Sequence, residues 1–271
     1  MPRTLWLECG TVAAGSCTHS MDRHTLLLAA VPVTGFVAGF INTLAGSGSL
    51  LTLPILILLG LPANVANGTN RVGVTMQNIV AVATFRRRGA LPLAGSWKLL
   101  VPSVVGGVIG AMLAVDLDER LLRQTIAVLM FVLIGLMLLK PERFIAAHVA
   151  PRQPRLLVEV PLFFAIGVYG GFLQVSVGLF LLAGLVLASG YELVGANAMK
   201  NLIVLLFTAA ALVVFVINDQ VDWTLGLLLG AGQAVGAWVA AHFAVTRGAQ
   251  FVRWAVVVIT VGSAVALFAG L

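Results

Sequence analysis

Charge is what this sequence has least of. Of 271 residues, 10% are Asp, Glu, Lys or Arg and 60% are hydrophobic, with a mean hydropathy of +1.07. An average soluble domain carries roughly 25% charged residues. So few charges cannot cover a water-facing surface, so the solvent is lipid. Cysteine is scarce too: Cys9 and Cys17 both lie in the N-terminal tail and carry no information on redox compartment. The four histidines include no H-x-x-x-H pair, and no Ser/His/Asp arrangement or metal cluster can be assembled. Catalysis and a cofactor are therefore not expected. Residues 1–20 lack the compact apolar core of a cleaved signal peptide. Met21 as a start would make the tail dispensable. The net charge of +6 does not point to nucleic acid, because the basic residues sit in loops between apolar stretches.

Those stretches fall at 25–45, 50–61, 72–85, 99–115, 121–139, 160–191, 201–217, 223–245 and 254–271. A spanning helix needs roughly 17–25 residues, and several qualify. The leucine and β-branched runs lack the alternation of a membrane barrel. The expected fold is an all-α polytopic membrane protein, with a lipid bilayer as its first partner. Trp97, Trp223 and Trp254 begin apolar segments as interface anchors.

The chain repeats itself. GFVAGFINTLAG (35–46) resembles GVYGGFLQVSVG (167–178), and VANGTNRVGV (65–74) resembles GANAMKNLIV (195–204). GGVIGAMLA (106–114) resembles GQAVGAWVA (232–240), and RQTIAVLMFVLIG (123–135) resembles RWAVVVITVGSAV (253–265). Four matches in one order imply a duplication. The boundaries read as a tail at 1–24, a first membrane repeat at 25–140, a linker at 141–159 and a second repeat at 160–271. Arg86, Arg87, Arg88 and Lys98 share one loop, and Lys140, Arg143, Arg152 and Arg155 share the linker. The positive-inside rule puts 86–98, 140–159 and 245–253 in the cytoplasm and 116–120 and 218–222 outside. Each half then crosses an odd number of times, so the two are inverted, as in many secondary transporters.

Two stretches are broken. Gly46-Ser47-Gly48-Ser49 separates a first arm near 25–45 from a short arm at 50–61, and Ser176-Val177-Gly178 separates 160–177 from 179–189. The second arms are short, which favours re-entrant hairpins over full spans. Irregular backbone at membrane depth belongs where it is buried or lines a cavity. The glycine-serine turn lacks the Lys and spacing of a nucleotide loop.

Candidate binding residues cluster around these breaks. Asn42 and Gln174 precede the two turns, which contribute Ser47 and Ser176. An amide can donate to an anion's oxygens. Asn67-Gly68-Thr69-Asn70-Arg71 reads as a helix start with Asn67 or Thr69 as cap and Arg71 as the anion-binding cation. Arg71 lies fifteen residues before Arg86, about 22 Å along a helix. The competing reading is a snorkelling side chain. In the second half Asn197, Lys200 and Asn201 correspond, with Arg71 matching Lys200 or Asn201. Glu159, Glu192, Asp219 and Asp222 border apolar segments and read as solvated, as does His242.

GFINTLAGSGSLLTLPILILLGLPANVANGTNRVG (39–73), the following RRRGAL and the weaker copy from Gly167 resemble the TauE/SafE family of sulfite exporters and related organosulfur permeases. The resemblance spans about Thr34 to Phe268, with Gly-Ser-Gly-Ser where the family often has a glycine run. It implies outward transport of sulfite or a small sulfonate such as sulfoacetate across the inner membrane. Arg71 with Asn67, Thr69 and Asn70 would bind the anion from outside. Lys200, Asn197 and Asn201 would bind it from inside, with Asn42 and Gln174 between. An anion channel and a non-catalytic assembly subunit are the alternatives, and a homodimer is left open.

Overall fold

The computed structural model describes residues 30–122, 124, 125, 128 and 156–268. The tail, most of the linker and the bulk of the 121–139 stretch lie outside the described residues. The architecture is all-helical: α1 (Ala30–Leu44), α2 (Ser49–Leu58), α3 (Ala63–Arg87), α4 (Trp97–Val115), α5 (Leu156–Phe172), α6 (Val177–Ala183), α7 (Leu193–Ile217) and α8 (Trp223–Phe268). A π-helical turn, Gly184–Ala188, widens the end of α6. Gly248 breaks α8 with a φ of 73°. Three described segments are long and apolar enough to cross a membrane unaided: Trp97–Val115, Leu193–Ile217 and Trp223–Val252.

The helix α3 is long enough at 25 residues but carries polar side chains along one face. Burial against α7 and α8 keeps that face from lipid. Its start differs from the sequence expectation. Pro62, with φ −55° and ψ 149°, ends the preceding turn, and the helix begins at Ala63. Proline presets φ and lacks a backbone N–H, so it suits a helix entrance. Asn67 and Thr69 therefore lie inside the helix and cap nothing at its start.

Small residues decide how closely the helices approach. Gly106 and Gly110 of α4 lie against the backbone of α5: an added Cβ would come within 2.3 Å of Phe164 O and 2.0 Å of Val168 O. Gly232 and Gly236 of α8 meet α1 in the same way, at 2.1 Å from Pro32 O and 2.0 Å from Phe36 O. These GxxxG pairs let backbones touch where apolar burial cannot drive association, because lipid is as apolar as the side chains.

The helix α2 has 10 residues, about 15 Å of rise, or half of a bilayer core. It returns from a turn at Ala45–Gly48, where Gly46 has a φ of 79°. A second turn at Leu173–Ser176 separates α5 from α6, with Gln174 and Ser176 left-handed at φ 59° and 54°. The two breaks meet: a Cβ on Gly46 would lie 2.2 Å from Gly178 Cα.

Candidate functional site

Helix ends buried away from water leave carbonyls that need donors from the protein itself. Here the missing donors come from two basic residues. Lys200 of α7 donates through Nζ to Asn42 O at 3.1 Å and Thr43 O at 2.7 Å, the last carbonyls of α1. Asn201 adds Nδ2 to Thr43 O at 3.3 Å. Arg71 of α3 serves the end of α5: Nη1 donates to Gly170 O at 3.3 Å, and Nη2 to Gly171 O and, at 3.5 Å, to Phe172 O. Asn67 Nδ2 reaches Phe172 O at 2.9 Å. A cation at a helix C-terminus also complements the helix dipole.

Arg71 is 0% exposed and Lys200 1%. Arg71 does not snorkel; its guanidinium carbon lies 4.6 Å from the centroid of Phe215, a cation–π contact. Every hydrogen bond formed by either cation goes to a backbone carbonyl. Two buried positive charges thus stand without a carboxylate partner among the described residues.

The structure brings part of the predicted set to one place. A small cavity of about 10 Å³, no more than a single water needs in this conformation, lies beside the two turns and is lined by Asn42, Gln174, Lys200 and Asn201, and by Gln77 and Asn78, which the sequence reading passed over. Gly46 and Gly178 form its backbone wall. Gln174 donates Nε2 to Thr208 Oγ1 at 2.8 Å, while its Oε1 has no partner. Gln77 Oε1 and Asn78 Oδ1 are likewise buried and unpaired. Unpaired buried acceptors are uncommon in native proteins and ask for a donor such as water.

The other predicted residues lie elsewhere. Asn70 joins Thr52 and Ser49 of α2, accepting from Thr52 Oγ1 at 2.6 Å and donating to Ser49 Oγ at 3.3 Å. Thr69 Oγ1 accepts from the Asp222 N–H at 2.9 Å and so fixes the loop before α8. Asp222 Oδ1 accepts from Leu225 N at 2.9 Å, the cap of that helix. Asn197 keeps both side-chain polar atoms buried without partners, and the hydroxyls of Ser47 and Ser176 do the same. One residue read as solvated is not. Glu159 is buried within α5, and its Oε1 has no partner. His242 is half-buried and bound to Arg88.

A helical period would have found the missed amides. Residues 67, 71 and 78 share a face of α3, as do 197, 201 and 208 of α7. Asn67, Arg71 and Asn78 therefore recur as Asn197, Asn201 and Thr208. Gln233 of α8 is also buried with Oε1 unpaired, against Gly39 and Gly73.

Residues 31–267 match the family model described as Sulfite exporter TauE/SafE. The chain belongs to this family. A Sinorhizobium sp. protein called Probable membrane transporter protein ORF9 is 32% identical over 90% of this chain and 93% of its own length. Relatives from Haemophilus influenzae and Escherichia coli K12, both named probable membrane transporter proteins and the second YfcA, are 28% and 29% identical. They align over 89% and 87% of this chain and 94% and 87% of their own lengths. No solved structure matches significantly. Family membership makes the chain a multi-pass transporter of the bacterial inner-membrane type rather than an enzyme. Among the described residues no group of three or more His, Cys, Asp or Glu is placed to hold a metal ion.

Proposed function

We propose that this protein exports a small sulfur oxyanion or sulfonate, sulfite or a compound such as sulfoacetate, by alternating access of two inverted repeats. Each repeat is a broken hairpin followed by three spanning helices. Residues 86–98 face the cytoplasm and 218–222 the outside. The equal lengths of α3 and α7, the paired GxxxG contacts and the meeting of Gly46 with Gly178 support this arrangement.

One observation carries the choice of an anion. Two wholly buried cations have only carbonyl partners, and one of them lines a cavity walled by amides. An uncompensated buried charge costs several kcal/mol, about 3–5 when a partner is removed. An oxyanion supplies the missing negative charge, and its oxygens accept from the remaining proton of Lys200 Nζ and from amide protons of Asn42, Asn78 and Gln174, while Asn201 Nδ2 stays on the carbonyls of Thr43 and Asn197. Arg71, with Asn67, Thr69 and Asn70, meets the anion on the outer side, while Asn197, Ser47 and Ser176 bring further polar atoms near the turns. Rocking one half against the other transfers the carbonyl-bound cations between partners.

The test is flux into proteoliposomes with sulfite, sulfoacetate, taurine and sulfate. Saturable uptake of a sulfur anion, accelerated by unlabelled anion on the far side, is expected. Flux no faster than in empty liposomes for every compound removes the reading. Non-saturable flux without counter-transport replaces the carrier with a channel.

A further inference from the structure

The site already described does not use the groove between α3 and α8 at the end of α3 that carries Arg86, Arg87 and Arg88. The two helices pack with Gly73 Cα 3.2 Å from a Cβ placed on Gly230. Toward the arginine end a groove opens, with about 670 Å³ of space. Ile79, Val80 and Ala83 of α3 and Trp238 of α8 wall it, and Arg87, Arg88 and His242 form its rim. Ile79 is 53% exposed and Trp238 54%, so the apolar wall faces outward to the bilayer.

The rim has a defined donor pattern. Arg88 Nη2 lies 2.7 Å from His242 Nδ1. A guanidinium can only donate, so Nδ1 accepts and the ring proton sits on Nε2, a further donor. No carboxylate lines the groove among the described residues. Arginine forks suit phosphate oxygens, and tryptophan is at home at the headgroup level.

We propose that this groove is a binding site for an anionic phospholipid: the phosphate on Arg87, Arg88 and His242, an acyl chain along Ile79, Ala83 and Trp238. A soluble anion would use the rim and leave the apolar wall idle. A second copy of the chain, packed by two-fold symmetry, would set this patch against itself, with arginine facing arginine. Only a ligand with an anionic head and a hydrocarbon tail matches both parts.

The test uses the purified full chain in a neutral detergent, with phosphatidylglycerol or phosphatidylcholine added. Bound lipid is counted by native mass spectrometry, and thermal unfolding is followed in parallel. Phosphatidylglycerol should bind about tenfold more tightly than phosphatidylcholine, a difference of about 1.4 kcal/mol, and raise the Tm. Arg87→Gln with Arg88→Gln should lose that preference, while Lys98→Gln, basic but outside the groove, should keep it. All three side chains project from helix ends or loops, so folding is not at stake. Equal binding of the two lipids, or a preference that survives the double variant, overturns the site. Glycerol phosphate matching the effect of the whole lipid turns it into a soluble-anion site. A dimer abolished by Trp238→Ala, with no lipid preference, assigns the groove to a second copy instead.

Discussion

Arg71 and Lys200 occupy similar settings and spend their hydrogen bonds differently. Each lies on a 25-residue helix, and each caps the broken helix from the other part of the chain. The guanidinium of Arg71 spreads over three successive carbonyls and stacks on Phe215, and it does not line the central cavity. The ammonium of Lys200 uses two carbonyls and does line it. An ammonium has three donors, so one remains for a ligand. The planar fork works as a clamp, and the point charge keeps a free valence. In this conformation Lys200 is the more available cation.

The widest separation between them is expected on removal. Lys200→Ala should lose about 3 kcal/mol of anion binding, a more than hundredfold fall in affinity, with folded protein still recovered. Arg71→Ala should also abolish flux, and it should lower stability by about 3 kcal/mol, more than Lys200→Ala does, because three buried carbonyls rather than two lose their donors. Arg71→Lys should recover part of both, since one ammonium cannot fork. Flux per folded molecule and thermal unfolding on the same samples give the comparison. Normal flux in Lys200→Ala, with none in stably folded Arg71→Ala, would reverse the assigned roles.

The two turns offer a second contrast. A Cβ on Gly46 would lie 2.2 Å from Gly178 Cα, and one on Gly178 would lie 2.3 Å from Gly46 Cα. The clash is mutual, but only Gly46 also has a positive φ, at 79°. Gly178→Ala should cost about 1–3 kcal/mol through overpacking. Gly46→Ala should cost about 1 kcal/mol more, because a left-handed backbone disfavours a side chain. Equal losses, read from denaturation midpoints, would show that the turn relaxes around its φ.

The helical membrane class, the two breaks and the cations were all legible in the sequence. Low charge forces the first, small-residue turns inside apolar runs mark the second, and a charge in an uncharged run marks the third. Three things were missed, and only the first was out of the sequence's reach. The partners of Arg71 and Lys200 are carbonyls, which leave no trace in side-chain identity. The register of the two helices was left between Lys200 and Asn201, although the gapless match of 65–74 with 195–204 already pairs Arg71 with Asn201; the starts of α3 at Ala63 and α7 at Leu193 give the same pairing, and Lys200 with Asn70. Gln77 and Asn78 were missed because neither is charged, although their helical spacing from Asn70 and Arg71 carried the signal.

A finer comparison joins the two amides that precede the turns. Both line the cavity, and Gln174 is in addition tied to Thr208 at 2.8 Å. Gln174→Leu and Thr208→Val should each destabilise, with a coupling of about 1 kcal/mol in a double-mutant cycle. Asn42→Ala should weaken anion binding and leave stability nearly unchanged. Independence of the Gln174 and Thr208 effects would mean that their hydrogen bond contributes nothing to the fold.

The smallest effect is expected where a carboxylate stands away from the cations. The central cavity is lined by a cation and amides, with no carboxylate among its lining residues. Glu159 instead lines a separate cavity with Lys98, Ser189 and Tyr191, at the end of α4 next to the basic loop. A proton-coupled carrier needs a titrating group in the path, often Asp, Glu or His, and Glu159 is the candidate, buried with Oε1 unpaired. An anion leaving a cell that is negative inside gains about 2.3 kcal/mol per charge per 100 mV. That supports roughly a fiftyfold outward gradient of a monovalent anion. If the proposed export runs on this potential alone, Glu159→Gln should change it less than twofold. In proteoliposomes under a potassium-diffusion potential and no pH gradient, efflux should follow the potential in both proteins. Sulfite titrates near neutrality, so the variant is read as a ratio to the wild type at each pH. Wild-type efflux that ignores the potential, follows a pH gradient and loses that dependence in Glu159→Gln would move the energy source from the membrane potential to a proton on Glu159.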